Sequence, residues 1–175
     1  NAGAVALTVD ISFDELRLHG RDAGRAVIAE GRRLPWEDES MDVVHCSNVI
    51  EHVSDARQLL DELVRVCRPG GVVYLSFTNW FSPWGGHEIS PWHYLGAERA
   101  VRRAERRGIV VKNRPGVGLF RLDISSVLGW VADDDRLVTR SVAPRYYPGW
   151  TRPLVKVPLV REVATWNLEI IATRR

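Results

Sequence analysis

Short apolar runs that end in polar residues fill the first half of this sequence, and they restrict its fold more than any other feature. Ala4 to Val9 leads into Asp10, Arg25 to Ala29 into Glu30-Gly31, Asp42 to Ser47 into Asn48, and Gly71 to Phe77 into Thr78-Asn79. Runs of this kind predict strands buried on both faces. Between the third and fourth, Leu59, Leu60, Leu63, Val64 and Cys67 recur at helical spacing, and Pro69-Gly70-Gly71 stops that helix. Ser12 is placed to cap a helix after the first strand, with Glu15 at the capping-box distance. Strand and helix in alternation imply a parallel sheet with helices on both faces, an α/β fold. Ligands in such folds bind beyond the carboxyl ends of the strands. Asp10, Glu30-Gly31, Ser47-Asn48 and Thr78-Asn79 therefore mark the expected crevice.

The second half reads differently. Thr78 to Leu95 is a long connection rich in Trp, Gly, Pro and His, and connections of this length inside a compact domain are usually functional. A charged helix is expected from about Ala97 to Arg107, and another over Ser125 to Ala132 with Asp123 as its N-cap. Leu137 to Ala143 reads as a strand, and so does Glu162 to Thr173, with Trp166, Leu168, Ile170 and Ala172 on one face. These two are expected to pair antiparallel and close the sheet. The whole is read as one domain, 1–175, with a cap or substrate loop inserted at about 78–122.

Composition excludes some functions. No apolar run reaches the roughly 18 residues of a membrane span, and no charged-then-apolar leader is visible. The formal net charge of +2 is too small to imply nucleic acid. Cys46 and Cys67 lie in apolar stretches and read as buried free thiols, which fits a reducing, cytoplasmic setting. The chain starts at Asn1, close to its first strand, and reads as part of a longer protein.

Four segments in order carry a family resemblance: Asp10 after a short strand; Leu34-Pro35-Trp36-x-Asp38-x-Ser40-x-Asp42-Val43-Val44; Cys46-Ser47-Asn48-Val49-Ile50-Glu51-His52-Val53; and Arg65-Val66-Cys67-Arg68-Pro69-Gly70-Gly71. Together they resemble the middle and later motifs of class I S-adenosylmethionine-dependent methyltransferases that act on small molecules. Asn79-Trp80, Gly85-Gly86-His87-Glu88, His93-Tyr94-Leu95-Gly96, Lys112-Asn113, Pro144-Arg145-Tyr146 and Val157-Pro158-x-x-Arg161-Glu162 extend the likeness to an actinobacterial group of these enzymes. The resemblance implies a Rossmann-like, mostly parallel sheet closed by an antiparallel C-terminal strand pair. The family pattern also has a first strand and a Gly-x-Gly-x-Gly loop upstream of Asn1. That strand lies between those at Ala4 to Val9 and Asp42 to Ser47, so this segment is expected to show a gap there. Residues 1–175 alone are expected to be poorly stable and not to bind cofactor measurably.

The same resemblance implies the cofactor contacts. Asp10, followed by Ile11, takes the position of the acidic residue that accepts from the ribose diol, which suits a carboxylate. Glu30-Gly31 takes the position beside adenine. Cys46, Ser47 and Asn48 follow the strand facing the methionine part of S-adenosyl-L-methionine. His52 has a side chain suited to general-base work near neutrality. Polyprenyl-quinone O-methyltransferases hold a metal on a similar segment, but with a Glu where this chain has Asn48. No metal ligands are therefore assigned, since losing a carboxylate weakens a hard-cation site. Glu51-His52 also has a bland reading, in which it orients a helix start and lines the pocket.

The Trp80 to Leu95 loop is the expected acceptor site. Trp80, Phe81, Trp84 and Trp92 offer apolar faces; His87, Glu88, His93 and Tyr94 offer polar groups, and His87 is a second candidate proton acceptor. His87-Glu88-x-x-x-x-His93 does not have the zinc-protease spacing, and Pro91 interrupts any helix. Gly85-Gly86 reads as the hinge of a lid that closes over the acceptor. Arg99, Arg102, Arg103 and Arg106 share a helix face, with Arg107 at its end. A solvated face is expected there, with a weak peripheral membrane contact at 99–107 left open. The expected activity is methyl transfer to a small or lipid-like acceptor. Two rivals are a nucleotide-dependent oxidoreductase on the same architecture and a non-catalytic cofactor-binding member of the fold.

Overall fold

The computed structural model describes residues 3–12, 14, 16 and 25–175. Its strands are β1 (Leu7–Asp10), β2 (Arg25–Ile28), β3 (Met41–Ser47), β4 (Cys67–Thr78), β5 (Leu137–Pro144) and β6 (Asn167–Arg174). Its helices are α1 (Ala56–Val66), α2 (Ala97–Arg106), α3 (Ile124–Asp133) and the short α4 (Val160–Ala164). Glu15, the second half of the expected capping box, lies outside the described residues. No helix among them is long and apolar enough to cross a membrane.

The strands form two sheets. β1 and β2 pair in parallel, and a four-stranded sheet runs in the order β3-β4-β6-β5. β3 and β4 are parallel, while β6 is antiparallel to both β4 and β5. The antiparallel closure by β5 and β6 is as expected, and β6 is the reversed strand in an otherwise parallel arrangement. Among the described residues β1 pairs with β2 and not with β3. Between the two sheets lies a cavity of about 480 Å³, bordered by Thr8, Val9, Gly31, Val44, Cys46 and Leu59, among others. The gap expected beside the first strand is thus present.

Helical periodicity decides α1. Leu59, Leu60, Leu63, Val64 and Val66 are buried on it, and the helix packs on β3 and β4. Each such aliphatic side chain contributes about 1.5–3 kcal/mol by leaving water. Asp55 caps α1 by accepting from the Gln58 amide at 2.9 Å. The helix ends at Val66, and Cys67 is already extended. The expected stop at Pro69-Gly70-Gly71 is corrected, since these residues already lie within β4. Gly71 is needed there because a Cβ would stand 2.7 Å from Cys67 Sγ and 2.8 Å from the Arg68 carbonyl.

Arg65 ties two of the motifs together. Its guanidinium donates to the Trp36 carbonyl at 2.9 Å, to Asp38 at 2.7 Å, to the Leu34 carbonyl at 3.1 Å and to Glu62 at 2.7 Å. Glu62 in turn accepts from the Leu34 amide at 2.9 Å. The Leu34-Pro35-Trp36 segment is thereby fixed to α1 beneath the crevice.

Asp123 caps α3 as expected, accepting from the Ser126 amide at 2.8 Å. The expected strand from Glu162 is corrected: Val160–Ala164 is helical, and β6 starts only at Asn167. Glu162 has another task, since its carboxylate accepts from the Ile124 and Ser125 amides, both at 2.9 Å. It thereby serves the free N–H groups at the start of α3. Leu168, Ile170 and Ala172 do share a buried face, but Trp166 stands partly exposed outside the strand. The 78–122 segment has a small core of its own, formed by Ile89, Ala100, Val101, Ala104 and Val111.

Candidate active site

The parallel register brings the first group of site residues together. Asp10 lies opposite Ile28, so the ends of β1 and β2 place Asp10 and Glu30-Gly31 side by side. Asp10 Oδ1 accepts from the Ser12 amide at 3.0 Å, which leaves further acceptor capacity on the carboxylate. Ile11 is exposed. Glu30 is exposed and pairs with Arg32. A Cβ on Gly31 would stand 3.0 Å from the Leu59 methyl, so a larger residue there would press on α1.

A second group sits at the ends of β3 and β4. Cys46 is buried, and its thiol is pushed up to about 12, by burial first and then by the negative charge of Glu51. It is not a nucleophile at neutral pH. Ser47 Oγ accepts from Ser76 Oγ at 3.1 Å and from Arg145 Nη1 at 2.6 Å. Asn48 has φ +54, a conformation Asn tolerates better than most residues. Its Oδ1 accepts from Asn167 Nδ2 at 2.6 Å. Arg145 and Asn167 were not assigned roles from the sequence. Both come from the C-terminal strand pair, and only the sheet order brings them here.

The third group is Glu51, His52 and His87. Ile50–His52 forms a single 3-10 turn after β3, and His87–Ile89 forms another after β4. The two imidazoles stand edge to face, with ring centroids 5.1 Å apart and an interplanar angle of 80°. His52 Nδ1 is 2.6 Å from the Gly118 carbonyl, and His87 Nδ1 is 3.3 Å from the Gly85 carbonyl. His87 has φ +52, a region that costs a non-glycine residue on the order of 1 kcal/mol or more and collects at functional sites. Glu51 is 1% exposed; its Oε1 accepts from the Thr78 amide at 2.9 Å, and its Oε2 has no partner.

The loop after β4 divides into an inner and an outer set. Trp80 and His93 are buried, and the His93 Nε2 hydrogen donates to the Trp80 carbonyl at 3.1 Å. Burial holds the His93 imidazole below the usual histidine range. Trp84, Trp92 and Tyr94 are exposed. Glu88 accepts from Asn113 at 2.8 Å. Neither glycine of the pair has a left-handed backbone, and Gly86 has φ −81. Gly85 and Gly86 are there for close packing, since a Cβ on Gly86 would stand 2.6 Å from the His93 ring and one on Gly85 would collide with the Trp80 carbonyl. Trp84 lies 5.4 Å from Trp166, which lies 5.2 Å from Tyr146. These three form an open aromatic face beside Arg145. Behind the loop, α2 packs on the two 3-10 turns that carry His87 and His93, and its arginines 99, 102, 103, 106 and 107 border a shallow cavity of about 360 Å³.

Residues 1–75 match the family profile of a methyltransferase domain. An uncharacterised methyltransferase of Mycolicibacterium paratuberculosis is 42% identical over 176 residues, covering 98% of this chain and 68% of that protein. The chain belongs to the methyltransferase family. As a methyltransferase it also has the expected class I fold. An S-adenosylmethionine-dependent methyltransferase from Thermotoga maritima superposes with a TM-score of 0.61 at 14% identity, over 98% of this chain and 73% of that one. A geranyl diphosphate methyltransferase in complex with S-adenosylmethionine superposes with a TM-score of 0.55 at 15% identity, over 97% and 68%. This membership sets the oxidoreductase rival aside. In this methyltransferase Gly31 and Cys46, of the residues singled out at the strand ends, border the cavity between the two sheets.

Proposed function

We propose that this chain transfers the methyl group of S-adenosyl-L-methionine to a small or lipid-like acceptor. The observation that carries the reading is the set of polar residues at the ends of β1, β2 and β3, on either side of the cavity between the two sheets. Asp10 and Glu30-Gly31 end β1 and β2, and Ser47-Asn48 ends β3. The residues suit the cofactor's parts. Asp10 retains acceptor capacity for a ribose diol. Gly31 keeps the wall flat where adenine would lie. Ser47, Asn48 and the nearby Arg145 offer hydroxyl, amide and guanidinium groups for an amino acid moiety.

The cofactor supplies an electrophilic methyl group on a sulfonium. The protein's contribution is then to bind, align and handle a proton. Trp84, Tyr146 and Trp166 give an acceptor an aromatic surface of the kind that holds rings or prenyl chains. His52 and His87, with ring centroids 5.1 Å apart, are candidate proton acceptors. Trp80 and His93 hold the loop in place from within, while Glu88 anchors it to Asn113. Tyr94 fixes the loop through its hydroxyl, which donates to the Phe81 carbonyl at 2.7 Å.

Titration calorimetry with S-adenosylmethionine on the full chain tests the reading. Asp10→Ala should weaken binding by about 1.5–3 kcal/mol, the scale of a hydrogen bond to a charged group. A folded full-length protein with no affinity for the cofactor would overturn both the methyl-transfer reading and the non-catalytic cofactor-binding rival, since each requires the cofactor to bind. Unchanged affinity in folded Asp10→Ala would remove Asp10 from the site.

A further inference from the structure

We propose that Glu51, His52 and His87 form a binding site for a first-row divalent metal ion of the zinc type. Each residue offers one ligand atom, and the three atoms lie within 4.8 Å of one another. The sequence gives little sign of this set, because His87 comes from a different loop and reaches the Glu51-His52 turn only after β4 has paired with β3.

Three observations point to a cation. The first is the orphaned carboxylate oxygen. Glu51 is 1% exposed, its Oε1 is satisfied by the Thr78 amide, and its Oε2 has no hydrogen-bond partner. A buried carboxylate without a compensating charge is costly. Among the described residues no arginine or lysine forms an ion pair with it. The second is the histidine orientation. Both imidazoles direct Nδ1 at a backbone carbonyl, Gly118 for His52 and Gly85 for His87. A proton on Nδ1 leaves Nε2 as the nitrogen with a lone pair. A second-shell carbonyl on the other ring nitrogen is the usual partner of a metal-bound histidine. The third is the backbone of His87, whose φ of +52 holds the ring against His52 at a conformational cost.

The donor chemistry selects the ion. Two imidazoles and one carboxylate suit zinc, iron, cobalt or nickel better than magnesium or calcium, which take oxygen ligands. Bonds of about 2.0–2.2 Å bring donor atoms within about 4 Å of one another, so binding calls for a contraction of the cluster by up to roughly 1 Å. Three protein ligands leave a position open to water or to an acceptor oxygen, whose proton the ion would make more acidic. An ion held there would take the histidine lone pairs, so proton acceptance would pass from the imidazoles to an oxygen on the ion. That catalytic meaning rests on the methyl-transfer reading above, but the affinity for a cation does not.

The test is titration of the chelator-treated full chain with Co²⁺, followed by visible absorption and by calorimetry with Zn²⁺. One equivalent should bind, with the intense ligand-field bands of four- or five-coordinate cobalt, and zinc should raise the melting temperature. His87→Asn, which keeps a residue tolerant of positive φ, should weaken binding by about 100-fold, the upper end of what even a second-shell loss costs. Glu51→Gln should do the same while keeping the Thr78 hydrogen bond through its amide oxygen; if it does not fold, His87→Asn decides alone. Absence of stoichiometric binding overturns the site. So does binding of equal strength in His52→Asn/His87→Asn. Calorimetry with S-adenosylmethionine on the same samples separates the two readings. Cofactor binding without metal binding overturns only the metal site, and metal binding without cofactor binding overturns only the methyl-transfer reading.

Discussion

Arg145 donates through one nitrogen to two serine hydroxyls on different strands, at 2.6 Å to Ser47 and 2.9 Å to Ser76. It reaches them from the end of β5, on the far side of β6, and its guanidinium also lies 5.1 Å from the Tyr146 ring. A single side chain thereby joins the strand end proposed to meet the cofactor to the aromatic face proposed to meet the acceptor. Arg145→Met should lower unfolding free energy by about 1–3 kcal/mol, since it removes charge-assisted hydrogen bonds at a partly buried position. Urea denaturation measures this. If Arg145 also serves the methionine moiety, cofactor affinity falls with it, whereas a purely structural role leaves the affinity of the folded variant unchanged.

His52 and His87 should separate from Asp10 in kinetics. Loss of a proton acceptor costs roughly 10²–10⁴-fold in turnover, whereas neither imidazole stands at the strand ends proposed for the cofactor. His52→Gln and His87→Ala are therefore expected to slow methyl transfer with little change in S-adenosylmethionine affinity. Steady-state kinetics with an acceptor found by screening isoprenoid and phenolic compounds would show it. An equal loss of cofactor affinity in both variants would place the pair in the cofactor pocket instead.

Acid should loosen the loop before the main sheet. The His93 pKa is held below that of free histidine, about 6.5, because its buried position opposes the charged form. A group with a depressed folded pKa contributes stability above its unfolded pKa and loses it as pH falls through the folded value. Loop stability should thus be full above about pH 6.5 and decline below it. Trp80 lies 5.2 Å from the His93 ring and can report the change by fluorescence. In His93→Gln the decline between pH 7 and pH 5 should shrink. A decline of the same size would assign it to other groups.

Gly86→Ala should test the packing role of the glycine pair. The added methyl group would meet the His93 ring at 2.6 Å, and a ring packed on Trp80 and Tyr94 has little room to yield. Overpacking of this kind costs about 1–3 kcal/mol. A lower melting temperature and faster proteolysis within 80–95 are expected. A variant as stable as the parent would mean that the loop shifts freely, as a lid would.

The strand ends were legible in the sequence because their signals are local. Apolar runs that stop at Asp10, Glu30 and Ser47 needed only neighbouring residues to be read. The α1 periodicity and the Asp123 cap were legible for the same reason. The segment at Glu162 to Ala164, read as the start of the last strand, misled because its apolar spacing suits either a strand or a helical turn. Its contacts decide in favour of the helix, above all Glu162 accepting from the first amides of α3.

By itself the sequence determined the α/β class, the succession β3-α1-β4, and the carboxyl ends at which polar residues gather. Periodicity, turn chemistry and caps act over a few residues, so they survive in a linear reading. The tertiary structure alone decided that β6 would lie between β4 and β5, and hence that Arg145 and Asn167 would reach Ser47 and Asn48. It also decided that His87 would meet Glu51 and His52, and that Trp84, Tyr146 and Trp166 would share one face. Such meetings depend on which distant segments bury each other's apolar surface. No spacing along the chain records that choice, because the free energy that makes it comes from the assembled core.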